Sequence, residues 1–143
     1  MYIRGFFLRA VLKQSGVIPI STAHESVQTL KTAFSEISQA LKDGYLVCIF
    51  PEGKITYDGK LGVFKSGVEK ILAETPVQII PMALGGLWGS FFSREGGSAL
   101  KKLPKRFWSK VSLNIGKPIS PEHVSADSLK VEVQKLLDQD LLA

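Results

Sequence analysis

Apolar residues recur along this chain at two different spacings. Steps of three and four positions, which place side chains on one face of a helix, predict helices over residues 2–14, 25–43, 66–73 and 125–141. Continuous or alternating apolar runs predict strands over residues 17–20, 46–50, 77–84 and 111–115. Helices and strands that alternate in this way predict an α/β fold, with a mostly parallel or mixed sheet flanked by helices.

Composition fits one globular domain. The chain has 143 residues, of which 45% are hydrophobic and 22% are charged, and its formal net charge is +5. Its one cysteine, Cys48, lies inside an apolar run and is expected to be a buried small side chain. Arg4 and Arg9 interrupt the first apolar stretch, so no segment has the roughly 18 uninterrupted apolar residues of a membrane span.

The most informative stretch follows the predicted strand 46–50. A proline-glycine turn there carries Glu52 at its tip, and Gly53 lets a backbone or ligand approach closely. Lys54 and Lys65 flank the turn, and Lys65 precedes a helix that Ser66 is expected to open in a capping box. A lysine beside free helix N–H groups favours phosphate binding. An ordinary solvated loop between a strand and a helix fits the same pattern.

Other motifs are absent. A phosphate-binding loop of the Walker type needs four residues between its glycines, whereas five separate Gly53 from Gly59, and Leu61 follows Lys60. Neither a dinucleotide-binding glycine pattern nor a serine-hydrolase elbow occurs. One cysteine and two distant histidines give no zinc-ligand spacing, so no metal site is expected.

Three blocks in order, Phe50-Pro51-Glu52-Gly53, Phe64-Lys65-Ser66-Gly67 and Ile80-Pro81, resemble the glycerophospholipid acyltransferase family. Gly16–Ile20 resembles the block that precedes them in the family. The form of residues 50–56, Gly59 and Leu87–Phe92 are closest to a branch that acylates lysophospholipids and is often fused to a transporter or an acyl-acyl carrier protein synthetase. The resemblance implies acyl transfer from acyl-CoA or acyl-acyl carrier protein to a lysophospholipid or glycerol-phosphate hydroxyl, in phospholipid synthesis or remodelling, with no bound cofactor.

The resemblance also implies roles for individual residues. Glu52 and Gly53 would hold the acceptor, Lys54 would contact its phosphate, and Lys65 and Gly67 would complete the anion site. The remaining matched positions of this substrate site are Phe50, Pro51, Phe64 and Pro81.

The sequence departs from the family pattern at the general base. The family's N-H-x-x-x-x-D motif is missing, because Thr29 stands at the fifth position after His24 and Ser128 at the fifth after His123. We therefore expect residues 1–143 to be one acyltransferase-like domain that is incomplete at its N-terminus and inactive alone. His24 is the alternative base within the chain, and His123 is expected at the surface.

Two further positions differ from the family pattern and put acceptor preference in question. Ser21-Thr22 replaces an acidic-arginine pair that the family carries. Ile55 stands where the common form of the glutamate block has arginine, so Lys54 would have to serve in its place.

Basic and aromatic residues are interleaved over residues 101–108. Such a mixture suits the headgroup boundary of an anionic membrane. The residues concerned are Lys101, Lys102, Lys105, Arg106, Phe107 and Trp108. The expected location is the cytoplasmic face of a membrane, peripheral or tethered through missing sequence. A solvated charge run explains the same pattern.

A non-catalytic lipid- or phosphate-binding module is the main functional alternative for the chain. A nucleic-acid-binding domain is a weaker alternative, because the sequence contains no nucleic-acid-binding motif.

Overall fold

The computed structural model describes residues 16–18, 27–89, 93–94 and 110–140. The chain divides into two compact units, Met1–Val47 and Cys48–Ala143. The predicted helix 2–14, His24 and the basic-aromatic segment 101–108 lie outside the described residues. None of the helices in the described ranges is long and apolar enough to cross a membrane.

In the first unit, the helix predicted over 25–43 is confirmed as α1, Val27–Lys42. Its buried residues are Ala33, Ile37 and Ser38, of which Ile37 belongs to the predicted apolar face. Two residues after the helix ends at Lys42, Gly44 takes a left-handed conformation with a φ of +83°. Gly44 donates to the carbonyl of Leu41 at 3.1 Å and Tyr45 to that of Ala40 at 2.9 Å. This pair of hydrogen bonds is a Schellman motif, which satisfies the last carbonyls of the helix.

The second unit contains two helices, two strands and a short 3-10 helix. In chain order they are α2 Gly67–Glu74, β1 Met82–Gly85, β2 Ser112–Ile115, the 3-10 helix Pro121–His123 and α3 Ala126–Asp140. β1 and β2 pair antiparallel, from Met82 opposite Ile115 to Gly85 opposite Ser112. An isolated bridge between Ile79 and Ile119 extends the pairing beyond Pro81, whose missing N–H explains why the predicted strand 77–84 begins regular pairing only at Met82.

The core of this unit joins the two helices. Phe64, Val68 and Leu72 pack with Leu129 of α3 in one buried cluster. Each large apolar side chain buried in this way contributes about 1.5–3 kcal/mol to folding. Phe64 is therefore anchored in the core. It fixes the C-terminal end of the segment that begins near Glu52 and carries the predicted site.

The predicted strand 46–50 is wrong for the described structure. Residues 45–50 form no regular strand, and Leu46 is 98% and Phe50 76% exposed. Cys48, which was expected to be buried, is exposed as well. An apolar run becomes a buried strand only where neighbouring strands pair with it, and no strand of the described residues does so. The parallel part of the predicted sheet stays a prediction, since the described strands pair antiparallel.

The predicted capping box at Ser66 is also wrong. Ser66 makes no side-chain cap, because its backbone (φ −67°, ψ 9°) is not in the extended conformation of a typical N-cap. Glu69 Oε1 instead accepts a hydrogen bond of 2.8 Å from the N–H of Ala126. The carboxylate therefore caps the first turn of α3, where a negative charge is also favoured by the helix dipole.

Candidate functional site

The segment 51–65, called here the glutamate loop, is closed at its base by backbone hydrogen bonds. Gly53 donates to the carbonyl of Phe50 at 3.0 Å and takes a left-handed φ of +61°. At the other end, Lys65 donates to the carbonyl of Pro51 at 2.9 Å. The two ends of the loop are thus held side by side. This closure brings together Glu52, Gly53 and Lys65, three of the residues predicted for the site.

Glu52 holds the loop by its side chain. Its half-buried carboxylate accepts a hydrogen bond of 2.7 Å at Oε2 from the N–H of Gly62. A β-carbon at position 62 would lie 2.7 Å from the same oxygen, so any larger residue would push the carboxylate away. Glu52 is therefore a clamp on its own loop, and the predicted contact with an acceptor stays a prediction.

The ammonium group of Lys65 lies over the turn at Gly53. A β-carbon built at Gly53 would lie 2.8 Å from Lys65 Nζ, so the missing side chain makes room for the cation. Within the described residues this ammonium has no carboxylate partner. Lys54, the residue after Gly53, is exposed. Since no acid of the described residues pairs with the Lys65 ammonium, its charge is available to an anion.

The tip of the loop is organised around Asp58. Its Oδ1 accepts hydrogen bonds from the N–H of Lys60 at 3.1 Å and from the hydroxyl of Thr56 at 3.0 Å. The N–H of Lys60 and the Thr56 hydroxyl hold the pKa of Asp58 below its ordinary value of 3.8. The ionised carboxylate thus shapes the tip and keeps its charge at neutral pH.

Two aromatic contacts pin the tip to the segment that follows β1. The Trp88 ring lies against Gly59, where a β-carbon would come within 2.7 Å of Trp88 Cδ2. The guanidinium carbon of Arg94 lies 4.2 Å from the centroid of the Tyr57 ring, which is a cation–π contact. Sequence reasoning missed Gly62 and Arg94, because neither belongs to a recognisable motif and both meet residues distant in sequence.

The other predicted site residues have different surroundings. Phe64 is buried in the core, and Pro81 is buried against Gly116, whose N–H donates to the Pro81 carbonyl at 2.9 Å. Phe50 is exposed at the start of the loop, and Gly67 is the first residue of α2. Packing thus accounts for Phe64 and Pro81, and a contact of either with a substrate stays a prediction.

A shallow groove of about 520 Å³ lies between the end of β2 and α3, and no residue of the glutamate loop lines it. His123 is on its rim and is exposed, as predicted. No group of three side chains suited to hold a metal ion occurs among the described residues.

The charges of the loop do not neutralise one another. Its two carboxylates, Glu52 and Asp58, both accept hydrogen bonds from backbone N–H groups of the loop itself. Its lysines make no ion pair with any carboxylate of the described ranges. These lysines are Lys54, Lys60 and Lys65. The loop therefore presents positive charge on a shape fixed by its own acids, an arrangement that favours an anionic ligand.

Comparison with a solved structure relates the fold to a known one. The chain superimposes on the 1-acyl-sn-glycerophosphate acyltransferase PlsC from Thermotoga maritima with a TM-score of 0.52 and 24% identity, over 79% of this chain and 48% of that one. The likeness indicates a shared α/β acyltransferase fold.

Sequence comparison points to the same family. The sequence model described as "Acyltransferase" matches residues 1–85, more than half of the chain. A chloroplastic 1-acyl-sn-glycerol-3-phosphate acyltransferase of Arabidopsis thaliana is 33% identical over 75 residues, which are 52% of this chain and 20% of that protein. A probable enzyme of the same name from Mycoplasma pneumoniae is 27% identical over 71 residues, 50% of this chain and 27% of that protein. The chain thus spans about a fifth to a quarter of these curated relatives. It belongs to the acyltransferase family, as a member of the glycerophospholipid acyltransferases.

Proposed function

We propose that this chain carries the acceptor-binding part of an enzyme that transfers an acyl chain from a thioester to the hydroxyl of a lysophospholipid or glycerol phosphate. The observation that carries the proposal is the glutamate loop, in which Glu52 fixes the backbone and Lys65 lies over Gly53. An acceptor of this class has one phosphate to be held and one hydroxyl to be activated. The loop supplies positive charge for the first task.

The phosphate is held, in this proposal, by Lys65 and Lys54. Neither ammonium group has a carboxylate partner within the described residues. A phosphate that binds them would therefore not have to break an ion pair with a described carboxylate. The N-terminus of α2 begins two residues after Lys65 and adds the partial positive charge of its free N–H groups. A phosphate anchored there leaves the glycerol hydroxyls at a fixed distance from the loop, which is the orientation that acyl transfer needs.

Acyl transfer also needs a base that removes the proton of the attacking hydroxyl, because a neutral alcohol is a weak nucleophile. The hydroxyl oxygen then attacks the thioester carbonyl, the ester bond forms and the thiol of the donor leaves with a proton. We propose that the base is the histidine of the family's N-H-x-x-x-x-D motif, which residues 1–143 do not contain. Acyl-CoA and acyl-acyl carrier protein both fit as donors.

We further propose that the enzyme works at the cytoplasmic face of a membrane, where its acceptor and product reside. The support is the sequence of the basic-aromatic segment 101–108, which lies outside the described residues.

The test is acyl transfer by the full-length enzyme with Lys65→Ala or Lys54→Ala. Because each lysine would contact the phosphate equally in the ground and transition states, the acceptor KM should rise about tenfold with little change in kcat. The donor KM should not change. The measurement is initial rate against acceptor concentration at saturating donor.

Lys70→Ala is the matched control, since Lys70 is an exposed lysine on α2, five residues from Lys65. Its kinetics should equal those of the wild type. An unchanged acceptor KM in both loop variants would remove the loop from the acceptor site. Tight binding of lysophosphatidic acid with no turnover by any form of the enzyme would favour the non-catalytic lipid-binding module.

A further inference from the structure

Arg94 has no counter-ion among the residues that the structure describes. Its guanidinium makes no hydrogen bond or ion pair with any described residue, and its Nε is buried with no hydrogen-bond partner. An unpaired buried donor on a charged group is costly, so such groups are rare in folded proteins unless a ligand or ion completes them. Within the described ranges, Arg94 therefore has a buried Nε–H that is available to a ligand.

The position of Arg94 is fixed at the glutamate loop. Its guanidinium stacks on the ring of Tyr57, with 4.2 Å between its central carbon and the ring centroid. Stacking holds the plane of the guanidinium but does not neutralise its charge. Tyr57 is itself exposed, so the stacked pair lies at the surface of the loop and not in the core.

Neither carboxylate of the glutamate loop pairs with Arg94. Asp58, next to Tyr57, uses Oδ1 to accept from the Lys60 N–H and the Thr56 hydroxyl, and Glu52 uses Oε2 to accept from Gly62. The remaining charged residues of the loop are lysines. No acid of the described residues pairs with Arg94, so its guanidinium is available to an anionic ligand. The two-pronged edge of a guanidinium matches two oxygens of a phosphate monoester better than it matches a single charge.

We propose that Arg94 is a specificity-determining residue that binds the phosphate of the acceptor, held in place by its stack on Tyr57. The inference rests on the proposed function and adds a residue to it. It assigns to Arg94 the discrimination between an acceptor that carries a phosphate monoester and one that lacks it. The loop lysines attract the anion, and the guanidinium selects its geometry.

The experiment compares two acceptors in the full-length enzyme, 1-acyl-glycerol 3-phosphate and the corresponding monoacylglycerol. Arg94→Gln, which keeps most of the side-chain volume, should raise the KM for the phosphorylated acceptor about tenfold to a hundredfold. The KM for monoacylglycerol and for the thioester donor should not change. Arg94→Lys keeps the charge without the planar edge and should recover only part of the loss. Tyr57→Leu should give a smaller rise for the phosphorylated acceptor alone.

A second readout does not depend on turnover. Calorimetric titration with glycerol 3-phosphate should give binding to the wild type that Arg94→Gln weakens by the same factor, with glycerol as the uncharged comparison. Turnover of the phosphorylated acceptor with unchanged kinetics in Arg94→Gln would overturn the inference and leave the proposed function standing. If glycerol 3-phosphate bound in a way that depends on Arg94, but the enzyme transferred no acyl chain, the proposed acyl transfer would be overturned and the phosphate site at Arg94 would stand. If Arg94→Gln impaired turnover equally for the phosphorylated acceptor and for monoacylglycerol, the role of Arg94 would be structural and the inference would be overturned.

Discussion

Within the unit Cys48–Ala143, the glutamate loop and the β1–β2–α3 region are held in different ways. α3 contacts both strands, Ala83 of β1 and Leu136 of α3 are buried, and Asn114 Nδ2 donates to the Leu136 carbonyl at 2.9 Å. Apart from Phe64 at its end, the loop buries little. Its shape rests on a few hydrogen bonds to carboxylates and on two aromatic contacts.

The difference separates the residues that keep the protein folded from those that shape the proposed site. Burial contributes free energy in proportion to area, so it is large and spread over many side chains. A hydrogen bond on an exposed loop adds little net stability, but it decides where a backbone or a charge lies. Substitutions in the packed region should therefore change stability more than specificity, and substitutions in the loop should do the reverse.

The largest expected effect is in the packed region. Leu129→Ala removes a side chain that is 4% exposed in the cluster joining α2 and α3, and should lower the free energy of unfolding by about 2–5 kcal/mol. Denaturant unfolding followed by circular dichroism measures it. Val131→Ala, two residues along the same helix and 53% exposed, is the control and should change stability by less than about 0.5 kcal/mol. Similar losses in the two variants would contradict the division between core and surface.

The next largest effect is expected where the ring of Trp88 packs against Gly59 of the loop. Gly59→Ala forces a β-carbon into a left-handed position with φ of +77° and against the indole ring. The backbone alone costs about 1–2 kcal/mol, and displacement of the ring adds to it. Gly44→Ala is the control, because Gly44 has a φ of +83° and open space around its β-carbon. Each loss is measured by denaturant unfolding of the unit that carries the glycine.

A larger loss at Gly59 than at Gly44, together with a shift in the fluorescence of Trp88, is the expected result. Equal losses with unchanged fluorescence would show that Trp88 does not hold the loop. Trp108 is the second tryptophan of the chain, so the fluorescence is recorded in a Trp108→Phe background.

Sequence reasoning succeeded where structure follows from local periodicity. The apolar faces of α1 and α3 follow from residues three and four positions apart, and the end of α1 from Asp43-Gly44. It failed at residues 46–50, because an apolar run does not say whether neighbouring strands exist. It also misassigned Glu69, since a sequence pattern cannot show that a side chain reaches a helix far along the chain.

The same contrast applies within the site. The sequence analysis placed Lys65 on the flank of the turn that contains Gly53, and in the structure its Nζ lies over that glycine. The clamp from Glu52 to Gly62 and the stack of Arg94 on Tyr57 were not. Both depend on the three-dimensional path of the loop, which the spacing of glycines and charges does not determine.

The third prediction compares two glutamates that accept from distant backbone N–H groups. Glu69→Ala removes the hydrogen bond to the Ala126 N–H at the start of α3, leaves the Ser125–Ser128 cap, and should lower the free energy of unfolding by about 1 kcal/mol, with acceptor KM unchanged. Glu52→Ala releases Gly62 and should raise the acceptor KM several-fold with a smaller loss of stability. Unfolding curves and acyl-transfer kinetics on both variants measure the two effects. If Glu69→Ala changed acceptor KM as much as Glu52→Ala, the separation of folding from specificity would fail.

The smallest effect concerns the charge at the loop tip. Hydrogen bonds from the Lys60 N–H and the Thr56 hydroxyl lower the pKa of Asp58 in the folded state, so the ionised form favours the folded loop. This contribution is fully present above the unfolded pKa, near 4, and is lost as pH falls through the lower folded pKa. A carboxyl titration by NMR should therefore give Asp58 a midpoint below 3.8, and the amide signal of Lys60 should move with it. In Asp58→Asn the side-chain oxygen still accepts, so the Lys60 signal should keep its neutral-pH position and lose its acid transition. A Lys60 signal that titrates identically in wild type and Asp58→Asn would show that Asp58 does not organise the tip.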